Sequence, residues 1–110
     1  MYPHDVIESD WKLFRKKLHE WQEAYMDKLN QEYIQILTGP GDASDKFWEL
    51  EKRIKKDKHD VGVVADMRRS VMFPNLIDLL REGAITPDDL DDFSEELRES
   101  LAFVTSRRYE

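Results

Sequence analysis

The run NLIDLLREGAITPDDLDDFSEELRESLAFV at residues 75–104 decides how this chain is read. Apolar residues Leu76, Ile77, Leu79 and Leu80 are followed by Gly83, the residue type that takes a left-handed conformation just past a helix end. Thr86-Pro87-Asp88-Asp89 then reads as an N-cap, a proline at the first helical position and acids in the positive first turn. Beyond it Leu90, Phe93, Leu97, Leu101 and Val104 recur at spacings of 3, 4, 4 and 3, one stripe down a helix. The run therefore predicts a short helix over 75–82 and a longer one over 87–105.

Two longer helical patterns precede it. The first starts at Ser9, a candidate N-cap, and carries the stripe Trp11, Phe14, Leu18, Trp21, Tyr25, Leu29, Tyr33 and Ile36 without a break before Thr38-Gly39-Pro40-Gly41. The second starts at Ser44 and carries Phe47, Leu50, Ile54, Val61, Val64, Met67 and Val71. Its heptad skips one position at Asp57 or Lys58, and Gly62 lies inside it, so a kink or break is expected near 59–62. Phe73-Pro74 is read as its end, because a residue before proline disfavours the α region. The expectation is an all-α single domain over 1–110 with helices at 9–37, 44–72, 75–82 and 87–105. The first two form a long antiparallel hairpin, and a shorter C-terminal hairpin packs on it.

A helix of 29 residues is roughly 44 Å long, whereas a compact domain of 110 residues has a radius of gyration near 13 Å. Long helices must overhang such a core. Either the second one breaks near Gly62, or its leftover seam is covered by another subunit; the homodimer is the expected arrangement.

The composition, 40% hydrophobic and 37% charged with four Gly and four Pro, is that of a folded helical protein rather than a disordered one. No apolar run reaches the ~18 residues of a membrane span, and MYPHDVIESDWK has no secretory character. The chain has no cysteine, which fits a cytoplasmic location and leaves no thiolate chemistry. Net charge is −7, and residues 76–110 hold ten acidic against four basic groups. Such a balance disfavours nucleic acid and anionic lipid as partners and favours protein.

Candidate functional residues follow from these patterns. The aromatics Trp11, Phe14, Trp21 and Tyr25 are core-spaced and are the expected anchors of an interface; Trp48 falls off its helix's stripe, as a lid or an exposed anchor. Asp88, Asp92, Glu95 and Glu99 share one helical face and form an acidic specificity surface. Lys52, Arg53, Lys55 and Lys56, with Lys58, form a basic patch that antiparallel pairing sets beside Glu20, Glu23, Asp27 and Glu32. An unopposed patch here would instead serve nucleic acid. An enzymatic alternative is a metal-dependent phosphohydrolase using Glu20, Glu23, Asp57, His59 and Asp60, or His19 and Asp66 with the His59-Asp60 doublet. These arrangements resemble those of MazG-type pyrophosphatases and HD phosphohydrolases, although the doubled EExxE of the former is absent. No cofactor fingerprint is present, and the expected function is that of an interaction or adaptor module without catalysis.

Leu76 to Leu101 also resembles the SHOCT family of short C-terminal helical hairpins, through Gly83, Ile85, Thr86, Asp89 and Phe93. Pro87 and the run of acids depart from that pattern. The resemblance covers about a quarter of the chain and implies interaction or oligomerisation, with no catalytic residues.

Overall fold

The structure, a computed structural model, describes residues 6–107, with only the backbone of Arg107. Among the described residues it is all-helical: α1 (Glu8–Thr38), α2 (Ala43–Asp57), α3 (Met72–Glu82) and α4 (Glu95–Arg107), with 3-10 turns at Arg69–Val71 and Pro87–Leu90.

The core lies between the first half of α1 and the C-terminal hairpin. Phe14, Leu18 and Trp21 pack against Met72, Phe73, Leu76, Ile77 and Leu79 of α3, Ile85, Leu90 and Phe93 of the connection, and Leu97 and Leu101 of α4. Trp21 stacks on Phe93 with ring centroids 6.1 Å apart, and Trp11 on Phe14 at 5.9 Å. The aromatic stripe of α1 is thus consumed inside one chain. Tyr25 and Leu29 continue it toward the α1–α2 hairpin, and beyond Leu29 no residue of α1 is fully buried. The result is long: 52 × 33 × 22 Å, with a radius of gyration of 16.5 Å against the ~13 Å of a compact domain this size.

α1 matches its expected range to within a residue at each end, although its cap is Ile7 rather than Ser9; likewise α2 is capped at Asp42 rather than Ser44. Gly83 takes φ 77°, and the amides of Gly83, Ala84 and Ile85 close back on Leu79 and Leu80 carbonyls. The Thr86–Asp89 capping box forms: the Thr86 amide donates to the Asp89 carboxylate at 2.8 Å.

Three boundaries differ from expectation. α2 stops at Asp57 instead of running to 72, and residues 58–64 form successive turns in which the Val63 and Val64 amides both donate to the Asp60 carbonyl. Polar tertiary contacts, described below, outcompete continuation of the helix. α3 begins at Met72, so Phe73-Pro74 opens a helix rather than closing one; a first-turn proline sacrifices no helical hydrogen bond. Asn75 secures this start by donating from Nδ2 to the Asp66 carbonyl at 2.8 Å.

The last helix is split. Pro87–Leu90 is a 3-10 turn, and α4 restarts after Ser94, whose Oγ accepts from the Leu97 amide at 3.2 Å. Asp10 of α1, buried at 3% exposure, fixes Ser94 from across the core. Its carboxylate accepts the Ser94 amide at 2.9 Å and the Ser94 hydroxyl at 2.6 Å. A buried carboxylate at a helix N-terminus is stabilised both by these bonds and by the helix dipole.

Candidate interaction surface

An amphipathic helix ordinarily turns its apolar stripe to its neighbour. α2 does otherwise. Its one fully buried residue is Asp57, with Lys46, Leu50 and Arg53 half-buried along the same seam against α1, whereas Phe47, Trp48 and Ile54 are 61%, 63% and 43% exposed.

The inward seam is held by polar pairing. Tyr33 donates its hydroxyl to Asp57 at 2.7 Å. Arg53 bridges Glu32 at 2.6 Å and Asp57 at 3.3 Å, with its guanidinium 5.7 Å from the centre of the Tyr33 ring. One turn further, Tyr25 donates to Asp60 at 2.6 Å, and Gln22 donates to the Val61 carbonyl at 2.9 Å. Glu82 of α3 closes the arrangement by accepting the Val61 and Gly62 amides at 2.9 and 3.0 Å. Burial, followed by the bond to Asp57, pushes the Tyr33 hydroxyl up to about 12; Tyr25 is raised by burial first and then by Asp60. Both therefore remain proton donors near neutral pH.

Glu82 is raised from 4.5, because burial outweighs the lowering effect of its two amide donors. A raised carboxylate contributes stability that is fully present below pH 4.5 and is lost as pH rises through the folded-state value. The excess melting temperature of the wild type over Glu82→Gln should therefore shrink from pH 4.5 upward in thermal unfolding across the carboxylate range. An excess that grows with pH would mean that the amide bonds outweigh the desolvation.

On the outer side, Phe47, Leu50, Ile54, Lys55 and Lys58 line a groove of about 320 Å³ with Glu51. Ile54 and Lys58 also border a second groove of about 280 Å³, walled by Met26, Asn30, Tyr33 and Val63. Phe47 and Trp48 meet edge to face at 4.9 Å, and Ile34 and Leu37 at the end of α1 are 50% and 47% exposed. The segments flanking the α1–α2 connection thus expose several large apolar and aromatic side chains.

Charges on α2 and around the Pro87–Leu90 turn are largely unpaired among the described residues. Of the basic run, Arg53 meets Glu32 as antiparallel pairing predicts, but Lys52, Lys55, Lys56 and Lys58 make no ion pair among the described residues. The expected neutralisation by Glu20, Glu23 and Asp27 does not occur. In the C-terminal segment Asp92 reaches Lys17 at 3.7 Å and Asp89 is used in the capping box, while Asp88, Asp91, Glu95 and Glu99 make no ion pair among the described residues. The expected single helical face through Asp88, Asp92, Glu95 and Glu99 is interrupted by the break before α4, although all four are exposed. Asp88 and Asp91 stand at the shared edge of two grooves. One, of about 560 Å³, has Leu80, Pro87, Leu90, Leu101 and Ala102 in its walls. The other, of about 520 Å³, runs along Lys17, Glu20 and Ala24 of α1.

Of the five expected anchors, Phe14, Trp21 and Tyr25 are buried in the chain's own interior, Trp11 is half-buried and Trp48 is exposed. Phe47 and Ile54, read from sequence as core, belong to the surface instead. Nor do the residues of the enzymatic alternative come together. Asp57 and Asp60 are engaged by Tyr33, Arg53 and Tyr25; Glu20, Glu23 and His59 are exposed; and no group of three His, Asp or Glu side chains among the described residues could hold a metal ion. No described helix is long and apolar enough to cross a membrane. No protein-family model, curated protein or solved structure matches this chain.

Proposed function

We propose that this chain is a protein–protein interaction module that self-associates through the outer face of α2. The observation that carries the reading is the inversion of that helix: it buries an aspartate and presents Phe47, Trp48 and Ile54 to solvent. Leaving such side chains in water forgoes about 1.5–3 kcal/mol each, an arrangement that makes physical sense when a partner supplies the burial. Large aromatic side chains are the usual centres of interface energy. The elongated form supports the same reading, because the α1–α2 hairpin extends past the hydrophobic core formed by the described residues. Its role is then that of an adaptor or scaffold whose activity is its assembly.

The test is sedimentation velocity on the chain and on Phe47→Ser/Ile54→Ser. The wild type should associate at micromolar concentration, a free energy of about −8 kcal/mol. The double variant should sediment as the 13.1 kDa monomer with its unfolding midpoint nearly unchanged, because neither side chain contributes to the core. A variant that associates like the wild type would remove α2 from the interface.

A further inference from the structure

We infer that the surface receiving the α2 face is the acidic, apolar groove of a second copy of this chain, between the Pro87–Leu90 turn and α4. This rests on the self-association reading and specifies its contact. The two surfaces are both apolar and differ in the sign of their excess charge. On α2, Phe47 and Ile54 are flanked by Lys55 and Lys58, against one acid, Glu51. In the groove, Leu80, Leu90 and Leu101 contribute apolar walls, with Asp88 and Asp91 at the edge against one cation, Arg98.

Neither set of charges is paired among the described residues. Lys55, Lys58, Asp88 and Asp91 make no ion pair among the described residues, although each borders an apolar depression. Like-with-like docking of two α2 faces would set Lys55 and Lys58 against their own copies. Docking on the acidic groove replaces that repulsion with attraction. The overall balance agrees: the −7 charge of the chain resides almost wholly in its last third, so a second copy offers the basic α2 an acidic target. An antiparallel pair makes this contact twice.

Two charge reversals and their mixture test the contact by sedimentation velocity. Lys55→Glu/Lys58→Glu and Asp88→Lys/Asp91→Lys should each associate at least about tenfold more weakly than wild type when measured alone. Mixed in equal amounts, they should recover association, because the first variant keeps its acidic groove and the second its basic face. Recovery also shows that both variants are folded. Wild-type association should weaken between about 0.05 and 0.5 M salt, as screening shortens the reach of the charges. If Asp88→Lys/Asp91→Lys associates as wild type does, the groove is not the receptor and this inference fails while self-association stands. Two weakened variants that stay monomeric when mixed would overturn it as well. A wild type that remains monomeric throughout would instead defeat the self-association reading. A salt-sensitive gel shift of duplex DNA, lost in Lys55→Glu/Lys58→Glu, would then assign the lysines to nucleic acid.

Discussion

Phe14→Ala should destabilise the chain by about 3–5 kcal/mol, the largest loss expected from any single side chain here. Phe14 has no solvent exposure and sits where α1 meets both helices of the C-terminal hairpin, beside Trp11 and edge-on to Trp21 at 6.4 Å. The cavity has no simple way to collapse. Trp21 is held against Phe93, and the α3 side is fixed by Leu76 and Leu79, themselves fully buried. Against a total stability of about 5–15 kcal/mol, such a loss leaves a protein partly unfolded near body temperature. Urea unfolding followed by far-UV circular dichroism measures it; a loss under about 1 kcal/mol would mean that this core is not the one holding the hairpins together.

Gly62→Ala should cost at least about 2 kcal/mol, at the upper end for the addition of one methyl group. A Cβ at this position would lie 2.7 Å from Cγ of Tyr25 and closer still to the ring edge, so something must move. The ring is poorly placed to yield. It is buried, its hydroxyl is committed to Asp60 at 2.6 Å, and the Gly62 amide is itself held by Glu82 at 3.0 Å. Shifting either side breaks a polar contact between the 58–64 turns and the helices they join. The melting temperature should fall by about 4–8 °C per kcal/mol lost. A neutral outcome would show that the turn sits further from α1 than this close packing implies.

This glycine illustrates why parts of the architecture escaped a reading of the sequence. Within the expected second helix, Gly62 registered as a helix-weakening residue and a place for a break, and the chain does leave the helix just before it. Nothing in the neighbouring sequence discloses that a tyrosine ring 37 positions upstream packs directly on it. Local chemistry was legible where it acts locally. Gly83 has its left-handed conformation, Thr86 and Asp89 form their reciprocal cap, and α1 keeps its aromatic stripe on the core.

What the sequence hid depends on distant partners. The helical spacing of Leu90, Phe93 and Leu97 concealed the restart at Ser94, whose cap is completed by Asp10, 84 residues away. Phe73-Pro74 was read as a helix end, whereas Pro74 lies in the first turn of α3. The candidate surface was half legible. Trp48 stood off the stripe of its helix and is exposed, whereas Phe47 and Ile54 were indistinguishable from core residues by spacing alone. Their fate is set by Asp57 and Arg53, which take the seam through Tyr33 and Glu32 and rotate the apolar stripe outward.

The central claim is that this outward stripe is covered by a second copy. Sedimentation equilibrium of the unmodified chain at about 1–50 µM, the range in which a typical small interface is populated, measures it most directly. The account predicts a weight-average mass rising with concentration from 13.1 kDa toward twice that value. A mass that stays at 13.1 kDa throughout would contradict it.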